Sequence, residues 1–334
     1  MFLVLLTLWE ILETMIIPRT ATRRFRPTAI YYRLLGAGKS RFVHPLRVLH
    51  VRESLLAAFG PLSVLILVVL WSTCIILGFA AMQWGLYVPL RGMSVLTFYD
   101  YLYFSGTSFF TLGLGDLSPG SHLGRFFAVT QAGLGFGLLA AVIGYLPTLY
   151  QAFSARESFI VRIQYRCGGT IDGYALLGNF LRHGDVEGLA LELRAFEEWT
   201  ANLLEATESY PMLAFYRSQH SLRSWVGMLV AGLDACAALR IPCEPPWPPR
   251  LVCQAEASFS LGKRALETLA ETFQRELNPA DRRSLDFEKL QRCFGESVVC
   301  SCDAATNEAI LWEIAAQYEP QAISLARFLA LELP

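Results

Sequence analysis

The stretch Thr97–Pro119, TFYDYLYFSGTSFFTLGLGDLSP, decides the fold. It opens with Thr97-Phe98-Tyr99-Asp100, the spacing of a capping box in which the Thr97 and Asp100 side chains serve free amides at a helix start. The helix so begun runs to about Phe109; it is aromatic, with no charge after Asp100. About three turns are too short to cross a ~30 Å hydrocarbon core, and the segment reads as a re-entrant helix. Its C-terminal end then points inward with a partial negative charge that favours a cation. Thr111-Leu112-Gly113-Leu114-Gly115-Asp116 follows at once. Alternating glycines admit left-handed torsions, so that successive carbonyls can face one side. A ring of such strands replaces the hydration shell of a monovalent cation. Irregular backbone is tolerated at membrane depth only where it is buried in protein or lines an aqueous path.

The flanks fit that reading. No Asp, Glu, Lys or Arg occurs from Ser54 to Leu90 or from Phe126 to Ala155. Uncharged runs above ~18 residues are membrane-span candidates. Leu55–Leu86 is read as the first spanning helix and Phe126–Tyr150 as the second. Over the whole chain, 54% of the residues are hydrophobic and 17% charged, against ~25% in average soluble proteins, which disfavours an ordinary soluble enzyme. The net charge of −1 hides a basic front half and an acidic back half.

Residues 1–17 form a short apolar segment interrupted by Glu10 and Glu13, read as a membrane or interfacial helix. Residues 18–53 are basic, with nine Lys/Arg between Arg19 and Arg52 and no acid before Glu53. By the positive-inside rule they lie on the cytoplasmic side, attracted to anionic lipid. Their irregular spacing, broken by Pro18, Pro27 and Pro45, does not fit a voltage-sensor helix. The pore domain is assigned to residues 54–157, and residues 158–334 to a helical cytosolic domain. In that tail Val186–Glu205 is amphipathic, with Leu189, Leu193, Phe196 and Leu203 on one face. Trp225–Leu239 is apolar but too short to span and holds Asp234, so it reads as a buried core helix. The fold class is an all-α membrane protein.

The segment from Thr111 to Asp116 resembles the filter of the two-transmembrane potassium channels, T-V-G-Y-G-D. The resemblance continues without a gap through Leu117-Ser118-Pro119, Gly124-Arg125 and the Gly133–Gly137 run GLGFG, and covers about Pro61–Glu157. The whole chain further resembles a bacterial subgroup with a helical cytosolic C-terminal domain. The resemblance implies a homotetramer in the cell membrane that passes potassium passively, with the ion on the carbonyls of Thr111, Leu112, Gly113 and Leu114. Potassium is then the permeant ion; no cofactor and no nucleic-acid partner is implied, and the protein is not an enzyme. It also implies an inner-helix hinge at Gly133, Gly135 and Gly137, with close packing as an equal alternative for Gly135. Two positions depart from the family: Leu114 stands where the filter tyrosine usually sits, and Leu112 replaces valine. Leu114 is expected to pack on Tyr103 or Phe104 without the tyrosine's hydrogen bond. Thr107 stands where some relatives keep an acid behind the filter.

Other features carry less. Asp116 reads as a filter-mouth carboxylate rather than a turn residue. Cys300-Ser-Cys302, with Cys293 upstream, lacks the spacing and histidines of common zinc sites. His220 with Arg217 and Arg223 reads as a solvated face before it reads as a sensor site. Gly168-Gly169 and Gly173 do not fit a dinucleotide-binding fingerprint, and no catalytic triad is visible. Two alternatives remain open: a weakly selective sodium/potassium channel, and a membrane-anchored signalling or scaffold protein whose pore is vestigial. The ligand or partner of the tail is not legible.

Overall fold

The computed structural model describes residues 1–15, 31, 49–93, 95–218, 224–273, 276–284, 286–294, 299–300, 302–329, 331 and 333. Apart from Tyr31, the basic stretch from Arg19 to Arg47 lies outside these residues, as do His220 and Arg223. Among the described residues the chain is α-helical, with eleven α-helices and four strands of two residues each. It divides into two compact units, Met1–Ala37 with Ala58–Gln151, and Gly38–Ala57 with Ala152–Pro334.

The first unit is built on α1 (Phe2–Met15), the part of α2 (Leu49–Gly85) from Ala58 onward, α3 (Phe98–Phe109) and the front of α4 (His122–Arg166). Two helices are long and apolar enough to cross a membrane, α2 over Gly60–Gly85 and α4. With the re-entrant helix between them, they make this chain a membrane protein. Val4 and Ile11 of α1 join Leu67, Trp71, Ile75 and Phe79 of α2 in one core with Phe109 and Leu138. The contact is close: a β-carbon on Gly78 would lie 2.5 Å from the Val4 side chain. Phe2, Leu5, Trp9 and Leu12 on α1 stay exposed. The segment before α3 and the segment after the TLGLGD motif meet in an antiparallel pair, β1 (Leu90–Arg91) with β2 (Ser118–Pro119).

The inner helix continues well beyond Tyr150. It ends only at Gly168 and Gly169, whose left-handed torsions (φ 76° and 105°) stop the helical repeat. The stretch after Ala152 belongs to the second unit, where Ile160 and Ile163 are fully buried and Phe159 stacks on Trp199 at 5.1 Å. Arg156 is buried there too. Its guanidinium donates to the Leu213 carbonyl at 3.0 Å and the Tyr216 carbonyl at 2.7 Å, and it pairs with Glu157. Burial pulls its pKa below the ordinary arginine value, although Glu157 opposes that shift.

The rest of the second unit comprises α5 (Gly173–Leu181), α6 (Val186–Ser209), a 3-10 turn (Pro211–Phe215), α7 (Trp225–Ala238), α8 (Pro249–Thr272), α9 (Phe287–Phe294), α10 (Ala304–Ala315) and α11 (Glu319–Leu329). A strand pair, β3 (Cys243–Glu244) with β4 (Val299–Cys300), ties two of the connections together. All fourteen residues of α7 are buried, as its apolar circumference requires. Asp234 on α7 is compensated there. Arg283 donates to both of its oxygens, at 2.7 and 3.1 Å, and to Glu319 at 3.2 Å, while the Tyr318 hydroxyl donates to Asp234 at 2.5 Å. Burial opposes the Arg283 charge, but Asp234 and Glu319 outweigh it and hold the guanidinium pKa above its ordinary value. Glu319 goes up as well, because burial outweighs the Arg283 charge beside it.

Candidate functional site

The pore-helix start is locked by its own side chains. The Asp100 carboxylate accepts from the Thr97 amide at 2.6 Å and from the Thr97 hydroxyl at 2.7 Å. Tyr101 and Phe104 then pack under Ala80, Val88 and Leu90, and the Tyr101 hydroxyl donates to the Val88 carbonyl at 2.8 Å. At the far end the helix closes tightly. The Leu112 amide reaches the Thr107 carbonyl at 2.8 Å and the Thr111 amide reaches the Ser108 carbonyl at 3.1 Å. The Thr107 hydroxyl turns back onto the Phe104 carbonyl at 3.1 Å.

Beyond that end the torsions alternate. Thr111, Gly113 and Gly115 have φ of 56°, 55° and 83°, while Leu112 and Leu114 between them stay out of the left-handed region. Alternation of left- and right-handed residues is what turns successive carbonyls to one side of an extended strand. Two of the three left-handed residues are glycines, which adopt this torsion without steric penalty. The third is Thr111, for which a left-handed φ costs of order 1–3 kcal/mol and which stands where the two bonds above close the end of α3. Leu112 and Leu114 are 60% and 64% exposed, and Phe110 is exposed beside them. The strand is therefore presented outward, with its side chains bare in the single chain.

At the outer end the Tyr103 hydroxyl lies beside the Asp116 carboxylate, and Leu114 stands in the open. Gly92, which sequence reasoning missed, passes directly over this point. Its φ is 119°, and a β-carbon would come within 2.1 Å of the Asp116 carbonyl oxygen. No residue type but glycine fits there, yet a lone Arg-Gly in a loop carries no signal of that approach.

Of the three inner-helix glycines, Gly135 is pressed against the pore helix: a β-carbon would stand 1.9 Å from the Phe109 carbonyl oxygen. Gly133 and Gly137 have open space around the same position. The helix runs through all three without a break. A cavity of about 190 Å³ lies beside Thr111, walled by Phe109, Phe110, Thr111, Gly135, Phe136 and Val68 among others. Its lining is mainly apolar.

A re-entrant helix, an outward-facing strand of alternating torsions and two flanking membrane-length helices define a pore-loop membrane protein. Residues 63–152 match the family described as "Ion channel", a likeness confined to that segment. The chain is also 26% identical over 196 residues to the "Uncharacterized membrane protein YdjJ" of Bacillus subtilis (strain 168). That alignment takes in 58% of this chain and 55% of the relative, so the chain spans about half the length of the curated protein it matches. No solved structure matches.

Proposed function

We propose that this protein is a potassium-selective channel whose filter is Thr111–Asp116, assembled from four copies in the cell membrane with residues 158–334 in the cytoplasm. The observation that carries the reading is the alternation of φ at Thr111, Gly113 and Gly115. That alternation provides a ladder of carbonyls able to strip and replace the hydration shell of a monovalent cation. One chain supplies one such strand; cyclic symmetry about the ion path closes a ring of them, and the resemblance to the two-transmembrane potassium channels supports four. The bare Leu112 and Leu114 side chains and the sparsely buried inner helix are what neighbouring copies and lipid would cover. In this reading the protein performs no covalent chemistry; Asp116 holds negative charge at the mouth, and the C-terminal dipole of α3 favours the cation.

A specific observation supports a second reading, a weakly selective sodium/potassium channel. Leu114 brings no hydroxyl to the wall behind the filter, and the Tyr103 hydroxyl lies beside Asp116 instead. Flux from reconstituted vesicles under opposed potassium and sodium gradients separates the two. A reversal potential that follows potassium alone supports the first reading. One that lies between the two ions supports the second, and no flux of either ion overturns both.

A further inference from the structure

Three polar side chains meet inside the pore unit, one from each of its three main helices. They are Gln83 on α2, Ser105 on α3 and Gln131 on α4, all with no exposed surface. The Gln83 amide nitrogen donates to the Gln131 carbonyl oxygen at 3.2 Å. The Gln131 amide nitrogen donates to the Ser105 hydroxyl oxygen. The Ser105 hydroxyl donates to the backbone carbonyl of Ile76 on α2 at 2.8 Å. The chain of bonds thus leaves α2, crosses α4 and α3, and returns to α2.

Its polarity is forced. A serine hydroxyl has one proton, and here it goes to Ile76, so the Ser105 oxygen must accept from Gln131. That sets the Gln131 amide with its nitrogen toward Ser105 and its oxygen toward Gln83. Gln83 then donates, and its own carbonyl oxygen is left buried without a partner. A side-chain amide buried among apolar helices is costly unless bonded, so these residues carry a constraint that leucine would not. Ser105 stands four residues before the end of the pore helix and six before Thr111, the first left-handed residue of the filter strand.

We propose that Gln83, Gln131 and Ser105 are positioning residues of the filter: their donor chain fixes the pore helix against the two spanning helices and so sets where the filter strand begins. This rests on the channel reading above. Directionality is the distinctive point. A glutamate at 131 can fill the same space, but an ionised carboxylate only accepts and cannot donate to Ser105, whereas leucine removes both functions.

The test uses the full-length protein in detergent and in vesicles, with Gln131→Leu, Ser105→Ala and the triple apolar variant Gln83→Leu/Ser105→Ala/Gln131→Leu. Hydrogen–deuterium exchange of the 98–116 segment is the first readout and does not depend on conduction. Each single variant is expected to speed exchange there by about tenfold while oligomer size stays that of wild type, since removing one partner strands the other. The potassium-over-sodium permeability ratio is the second readout, and it is expected to fall in the same variants, an effect that a merely structural role would not produce. Wild-type exchange in Gln131→Leu overturns the proposal, and so does faster exchange with an unchanged permeability ratio. A triple variant with wild-type exchange and wild-type selectivity overturns it too, because the residues would then only satisfy one another. If wild-type protein itself passes no ion, the channel reading has failed, and the positioning role fails with it whatever the exchange data show.

Discussion

The tail's α7 and the pore unit's α4 are both strongly apolar helices, and they end in opposite states. Every residue of α7 is buried within its own chain. Of the most apolar window of α4, 11% is buried, against 44% for α2. A helix that is apolar all round has to be covered by something. The tail covers α7 with its own helices, closing its core inside a single chain. The pore unit leaves most of the apolar stretch of α4 bare within the single chain. The contrast extends to single residues: even the charged Asp234 in the tail is covered and paired with Arg283 and Tyr318, whereas the apolar Leu112 and Leu114 stand bare. One unit closes over its apolar helix, and the other keeps apolar surface bare within the single chain.

The largest expected effect breaks the pore side of that contrast. Gly113→Ala or Gly115→Ala places a β-carbon on a left-handed residue, opposing the torsions that aim the carbonyls. Conduction is expected to vanish while oligomers still form; ion flux through either variant at the wild-type level would remove the filter assignment.

The second acts on the tail alone. Arg283→Gln leaves Asp234 and Glu319 buried without their cation, which is expected to cost about 3–5 kcal/mol. The pH dependence has a definite sign. Glu319 is already raised by burial, and removing Arg283 raises it further. A carboxyl raised in the folded state is tolerated below its unfolded pKa and costs stability as pH rises through the folded pKa. The melting temperature of the variant should therefore fall further below that of wild type at pH 8 than at pH 5. A deficit that does not change with pH would contradict the account of Glu319.

A third prediction concerns the seam inside the pore unit. Gly135→Ala drives a methyl group toward the Phe109 carbonyl, which must retreat at a cost of about 1–3 kcal/mol. Gly133→Ala and Gly137→Ala meet open space and are expected to be mild. Equal losses of flux in all three would favour a hinge over close packing.

The smallest effect is expected at Leu114. Leu114→Tyr should keep conduction and tighten potassium over sodium, with a gain bounded by one hydrogen bond, about 1 kcal/mol. Because the Tyr103 hydroxyl lies beside the Asp116 carboxylate, the gain should grow in Leu114→Tyr made together with Asp116→Asn. A permeability ratio that stays unchanged in both would show that position 114 does not limit selectivity.

Local chemistry made the re-entrant helix, its Thr97–Asp100 start and the alternating glycines legible in the sequence, because each depends on residues within a few positions of one another. The charge-free runs marked the two long helices for the same reason, since crossing a membrane demands a length and a composition and no particular partner. Tertiary structure alone decided what those elements touch. It set Tyr103 on Asp116, Gly92 over the Asp116 carbonyl, Gly135 under Phe109 and Gln131 between Gln83 and Ser105. It also carried the inner helix on to Arg166 and buried Arg156 beneath the Leu213 and Tyr216 carbonyls. These contacts join residues tens of positions apart whose types say nothing about one another, and close packing chooses among them only once the whole chain is in place.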